Sequence, residues 1–256
     1  TADLAFSVVS LVVNDDRYQR MLASFAAKGF SAENAEFFAI DNRGRNAFDG
    51  YSALRAVLPQ LRGQHVLFTH DDIELTADGF AELSALVDRL EAIDPRWMIA
   101  GNAGGTVRPI GTRNAHFLHL DDPHGSFRLP SADPVRVDAL DENFLVMPRH
   151  RMPLPSLDLA GFHLFAADMC LQARAAGGTC YAIPFLLFHH GSGLVDGAFP
   201  AAQRKLEDKY SRLGVRGRIQ APAIQMHFGY WARAIRQVAA LRDRVAGALR
   251  RLFART

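Results

Sequence analysis

The chain has 256 residues, 49% hydrophobic and 22% charged, the balance of an ordinary globular protein able to bury one full α/β core. There is no run of 18 or more apolar residues, which excludes a membrane-spanning helix, and no basic segment precedes an apolar one at Thr1-Ala-Asp-Leu4, so no signal peptide is read. The net charge of +2 hides an asymmetry: residues 229–256 carry seven arginines and one acid, while acids outnumber bases by four elsewhere, so the body does not read as a nucleic-acid surface.

The first predicted strand is the β-branched run Phe6–Val13, ending at Asn14-Asp15-Asp16. A helix follows over 17–29, with Tyr18, Met21, Leu22 and Phe25 on one face and Gly29 as its stop. Ala35–Ile40 reads as a second strand ending at Asp41-Asn42; a polar loop over 43–50 and a helix over 51–61 come next. Val66–Phe68 is apolar throughout, the signature of a strand buried on both faces, and it runs straight into His70-Asp71-Asp72-Ile-Glu74. Strand, helix, strand, helix, strand within the first 70 or so residues opens a doubly wound, mostly parallel sheet with helices on both faces.

Beyond it, Thr76 or Asp78 is placed to cap a helix over 79–93, and Met98–Ala100 forms a short strand. Residues 107–134, rich in Gly, Pro, His and Asp, read as an irregular excursion near the site. Residues 135–140 and 143–147 look like a strand pair, 165–176 a helix stopped by Gly177-Gly178, and 180–187 a last apolar strand delivering His189-His190. A charged helix spans 199–213, and 229–252 reads as a long amphipathic one. The predicted organisation is one α/β domain over 1–215 with a C-terminal helical extension over 216–256. Cys170 and Cys180 are too few for a disulfide framework and suit reduced thiols in the cytoplasm.

In a parallel sheet, the strand ends carrying Asn14, Asp41 and Asp71-Asp72 all fall on one edge, where open α/β folds bind ligands. Adjacent carboxylates repel unless a cation or hydrogen bonds offset their charge. A hard divalent metal that also meets phosphate oxygens answers this; capping the next helix is the other reading of Asp71 and Asp72. Asp41-Asn42 suits either a ligand hydroxyl or an Asx turn. His189 and His190 suit a metal, with imidazole favouring manganese over magnesium, or a diphosphate, or simple packing. His163 points to the same region or to the core. Neither Gly-x-Gly-x-x-Gly after the first strand nor Gly-Lys-Ser/Thr is present, which argues against a dinucleotide fold or a P-loop.

The order of these pieces resembles the GT-A glycosyltransferases of family 2, in the streptomycin-biosynthesis-protein-like branch. The matching stretches are the first strand to Asn14, Ile40-Asp-Asn42, Leu67-Phe-Thr-His-Asp-Asp-Ile73, Asp138-Ala-Leu-Asp-Glu-Asn-Phe144, Phe162-His-Leu-Phe-Ala-Ala-Asp-Met-Cys-Leu171 with Gly177, and His189-His190. The resemblance implies a nucleotide-diphosphate-sugar donor held by Asn14, Asp41, Asn42 and Asp71. It implies Mn2+ or Mg2+ at Asp72, with Glu74, His189 and His190 as further ligands. Asp168 matches the family's general base for inverting transfer, although the acid that relatives often carry two residues earlier is Ala166 here.

The expected acceptor is a saccharide, lipid-linked or small-molecule hydroxyl. The alternatives are a nucleotidyltransferase and a non-catalytic sugar-nucleotide or glycan-binding module on the same fold. The helix over 229–252 suits contact with anionic headgroups at the inner face of the membrane, docking on the domain, or self-association.

Overall fold

Alternation along the central strands builds the molecule. In the computed structural model, which describes residues 4–109, 115–191, 196–230, 234, 237, 238 and 241, neighbouring residues of one strand enter opposite cores. Val8, Leu67, Phe144 and Val146 pack on one face; Val9, Phe68, Leu145 and Met147 pack on the other. Such two-sided burial is why these strands read as continuous apolar runs.

Seven strands form the main sheet: β1 (Phe6–Val12), β2 (Ala35–Asp41), β3 (His65–His70), β4 (Trp97–Gly101), β5 (Val135–Val137), β6 (Phe144–Pro148) and β7 (Thr179–Ala182). Their spatial order is β5-β7-β4-β6-β3-β1-β2. β1 is parallel to β2 and β3, and β4 is parallel to β7, whereas β6 runs antiparallel between β3 and β4 and β5 is antiparallel to β7. The register places Leu11 opposite both Ile40 and His70, so three parallel strands end level on one edge. Because β6 is reversed, it starts where they stop. Its entry, Asp141-Glu142-Asn143, therefore reaches the same edge, and Asn143 O accepts from His70 N (3.0 Å) and Thr69 Oγ1 (2.9 Å).

Helices α1 (Asp15–Ala27) and α3 (Phe80–Ile93) cover one face. The short α2 (Ala53–Val57), α4 (Phe165–Ala175) and α5 (Phe199–Arg212) cover the other. Asn14 is not a strand tip but the N-cap of α1, its side chain accepting from Arg17 N at 3.0 Å, so Asp15 and Asp16 fall in the first helical turn. Neither Thr76 nor Asp78 caps α3: Gly79 holds that position, its N–H donating to Glu82 Oε2 (2.9 Å), and Asp78 accepts from Leu186 N instead.

The predicted excursion is more ordered than its composition suggested. Residues 115–118 pair with 103–106, and 120–122 form a strand beside both 125–127 and 188–189. Within the predicted C-terminal extension, Gly217–Gln220 and Gln225–Phe228 make an antiparallel hairpin. Its Ile219, Met226 and Phe228 are buried in the same core as α4 and α5, because the alternating apolar residues find an open flank beside Tyr210. Of the helix expected over 229–252, Tyr230, Val238 and Leu241 are helical and exposed; its arginines lie outside the described residues. No helix among the described residues is long and apolar enough to cross a membrane.

Candidate active site

The level strand ends open into a cavity of about 560 Å³, within the size range of pockets that hold small ligands. Its polar wall carries Arg17, His70, Asp72, Glu142 and His189, and its apolar wall carries Phe68, Phe162, Phe165 and Phe199.

Backbone pairing sets the polar wall. Directly after β3, Ile73–Glu74 pairs antiparallel with Phe188–His189, and His190 N donates to Asp72 O at 2.9 Å. The strand over 120–122 braces the same segment from its other side. This pairing brings His189 back to the exit of β3 across 119 residues of chain from His70.

His70, Asp72 and His189 converge as a possible metal-holding group. His70 Nδ1 lies 3.4 Å from His189 Nε2, and Asp72 Oδ1 lies 3.7 Å and 3.4 Å from those two nitrogens. Asp72 Oδ1 is buried and has no hydrogen-bond partner among the described residues. A buried carboxylate oxygen left this way costs stability unless another group meets it. Burial works against the Asp72 charge, but His189, His70 and Arg17 outweigh it and hold the carboxyl at about 2. Burial likewise presses on both imidazoles. It lowers His70, helped by repulsion from His189, while Asp72 reverses it at His189 and raises that ring.

Gly191 completes the cradle. A Cβ there would sit 2.8 Å from His189 Nε2 and 3.0 Å from Asp72 Oδ2. Two imidazoles and a carboxylate, with an orphaned oxygen and space kept by a glycine, fit a divalent transition metal; the nitrogen donors suit Mn2+ better than Mg2+.

The other predicted residues fall in three places. Asp71 lines the cavity and Asn14 sits beside it: Asp71 Oδ2 accepts from Val13 N (2.8 Å) and Asn14 N (3.1 Å), pinning the end of β1 to that of β3. Asp41 lies on the same sheet edge, exposed, where Arg43 bridges it to Asp15. Asn42 is buried and clamps the following loop through two bonds with Phe48. Glu74 and His190 pair with each other at 2.9 Å, with Arg20 close to the same carboxylate at 3.4 Å, beside the triad rather than within it. His163 lines the cavity, its Nε2 2.8 Å from Asp196 Oδ1.

Asp168 is the main departure from expectation. Its own N–H is spent on Leu164 O, and its carboxylate turns sideways into the core with no exposed surface. There it accepts from Ser156 N, Ser156 Oγ and Tyr210 OH, each at 2.7 Å. It does not line the cavity. The family resemblance placed it at the site as the general base. What it could not see is that the 156 loop and α5 close over it.

Conversely, His70, Arg17, Asp141 and Glu142 face the cavity although none was a candidate. Asp141 Oδ1 accepts from Asn143 N (3.1 Å) and Asn143 Nδ2 (3.0 Å). Burial first and the neighbouring Asp141 second push the Glu142 carboxyl well above the ordinary range, with the Leu164 backbone N–H favouring the ionised form.

This mostly parallel sheet, with β6 and β5 reversed, has the GT-A fold of the solved glycosyltransferases to which the chain is similar. Among solved structures the chain is similar to GalNAc-T7 with UDP, GalNAc and Mn2+, with a TM-score of 0.55 and 12% identity over 83% of this chain and 49% of that one. It thus spans about half the length of that protein. It is also similar to the mannosyltransferase PcManGT from Pyrobaculum calidifontis in complex with GDP-Man and Mn2+, with a TM-score of 0.52 and 13% identity over 87% of this chain and 67% of that one. No family model matches the sequence. At 43% identity over 210 residues, 82% of this chain and 84% of the relative, the chain belongs to the family of the ATP synthase subunits region ORF 6 protein of Fuscovulum blasticum, whose name states no activity.

Proposed function

We propose that this protein is a metal-dependent glycosyltransferase that moves a sugar from a nucleoside-diphosphate sugar to an acceptor hydroxyl with inversion at the anomeric carbon. The observation that carries the reading is the convergence of His70, His189 and the Asp72 oxygen, which lies at ion-pair distance from both imidazoles without a hydrogen bond to either, at the carboxyl edge of a GT-A sheet. His70, Asp72 and His189 would hold the ion, Mn2+ by their chemistry. A divalent ion there supplies neutralisation of the charge that builds on the leaving diphosphate.

The chain's own residues then divide the work. Arg17, 3.9 Å from Asp72 Oδ2 and half exposed in the first turn of α1, is positioned to meet a phosphate oxygen. Asp71 and Asn14 set the rim on which the ribose would rest, and Asp41 stands farther along the same edge, toward the base. Phe162, Phe165 and Phe199 offer an apolar wall to the acceptor and keep water from part of the cavity. Cys170 and Cys180 are buried and unbridged, which suits a reducing compartment.

A nucleotidyltransferase would need a glycine- and base-rich grip on triphosphate after β1. Asn14-Asp15-Asp16 is acidic instead. A binding module without turnover would keep the donor site alone.

Thermal unfolding with UDP-, GDP-, CMP- and dTDP-sugars, with and without Mn2+, tests the reading. One nucleotide class should raise the melting temperature only with the metal, and Asp72→Ala should abolish the shift. No metal-dependent shift with any of these donors would refute it; binding without release of nucleoside diphosphate, with saccharide acceptors supplied, would favour the module.

A further inference from the structure

Inverting transfer needs a base facing the acceptor, and the carboxylate expected for that task is sealed in the core. Four carboxylates line the cavity: Asp71, Asp72, Asp141 and Glu142. Asp71 holds two backbone N–H groups at the rim. Asp72 faces the imidazoles, and Asp141 is tied to Asn143 on both its backbone and its side-chain nitrogen.

We propose that Glu142 is the residue that takes the proton from the acceptor hydroxyl, oriented by the backbone N–H of Leu164. The proposal rests on the sugar-transfer reading above. Glu142 enters the edge because β6 is reversed, and it lines the cavity with Phe165, the first residue of α4. Leu164 precedes that helix as its N-cap. It is the one non-glycine residue among those described with a left-handed backbone, φ 64° and ψ 15°. A leucine adopts that conformation at a steric cost, and strain of this kind tends to persist where a site depends on it. Here it ends the approach to α4, and its backbone N–H favours the ionised Glu142 carboxylate.

The groups acting on Glu142 are Asp141 on the same turn, Leu164 N–H from the head of α4, and Tyr51 from the turn before α2, whose phenol burial pushes up first, then Asp168 and Glu142. None of them is a cation. Burial and Asp141 thus favour the protonated acid, which makes the deprotonated form a stronger base.

The step balances as follows. The acceptor O–H bond breaks and its proton goes to the Glu142 carboxylate while the acceptor oxygen bonds to the anomeric carbon. The bond from that carbon to the phosphate oxygen breaks, and its electron pair leaves on the nucleoside diphosphate.

The test uses the full chain, Mn2+ and the sugar nucleotide that raises its melting temperature, with nucleoside diphosphate release measured in the presence of saccharide acceptors. Glu142→Gln should keep the donor-induced shift and lose roughly a hundredfold or more in turnover. Glu142→Asp should restore part of it, and the wild-type rate should climb with pH through a raised carboxyl ionisation that Glu142→Gln abolishes. Asp168→Asn should turn over at close to the wild-type rate per folded molecule. A Glu142→Gln rate close to that of wild type, or a dead but folded Asp168→Asn beside an active Glu142→Gln, overturns the assignment while leaving sugar transfer standing. Failure of the wild type to bind any donor, or to release nucleoside diphosphate from one, overturns sugar transfer and this role with it.

Discussion

Asp72, with one buried oxygen at the cavity, and Asp168, fully buried in the core, are satisfied in opposite ways. Asp168 has three donors at 2.7 Å, two from Ser156 and one from Tyr210, all belonging to the scaffold. Asp72 keeps one oxygen unpartnered, with imidazole nitrogens 3.4 and 3.7 Å away and a glycine leaving room beside them. The lesson is that burial alone does not separate a structural acid from a working one. What separates them is whether the fold itself has already supplied the partners.

The sharpest way to break the comparison is Asp168→Ala. It orphans the Ser156 N–H and hydroxyl and leaves Tyr210 OH only its longer bond to the residue 168 carbonyl (3.3 Å), so urea unfolding should show a loss of about 3–5 kcal/mol. The metal-dependent donor shift of the surviving folded protein should persist. A loss below about 1 kcal/mol, within the usual range for surface substitutions, would mean that Asp168 is not a scaffold acid.

Asp72→Ala should act the other way round, costing the metal-free fold no more than the roughly 2 kcal/mol that its ionised carboxyl contributes near neutral pH. It should remove the stabilisation of about 2.7 kcal/mol that a ligand at a hundred times its Kd provides. The metal-free wild type adds a pH test. The Asp72 carboxyl is held at about 2 in the fold against an ordinary 3.8. Its contribution of about 2 kcal/mol is therefore present above the ordinary value and lost as pH falls through the folded one. Acid titration of Asp72→Asn should be flatter over that window.

Gly191→Ala pushes a methyl group to 2.8 Å from His189 Nε2. Displacing one ligand without removing it should weaken Mn2+ binding about tenfold, or 1.4 kcal/mol, by titration calorimetry. The smallest effect is expected at His190→Ala. Its partner is Glu74 rather than the triad, so Mn2+ affinity should change less than threefold, about 0.6 kcal/mol. A loss matching that of His189→Ala would extend the metal site to the Glu74–His190 pair.

The parallel half of the fold was readable because its strands are buried on both sides and alternate with amphipathic helices. The common edge of Asn14, Asp41 and Asp71-Asp72 followed from that alone, and β1 to β3 do end level there. Asn14 as a helix cap was within reach, since Asp15, Asp16 and Arg17 follow it directly. His70 and Glu142 were not. His70 reads as the last residue of a strand until Phe188–His189 zips to Ile73–Glu74, a pairing of distant segments that no local pattern announces. Glu142 depends on β6 running backwards between two parallel strands, and a short apolar strand carries no mark of its direction. Asp168 misled for the converse reason: its helix position was visible, but the residues covering it come from Ser156 and Tyr210, 12 and 42 positions away.

The span between His70 and His189, 119 residues, encloses nearly half the chain. A cation seated across it would behave as a removable crosslink over a long loop, restricting the unfolded chain as well as fastening the folded one. Chelation would then loosen far more than the cavity mouth, and protease sensitivity within 71–188 would report how full the site is.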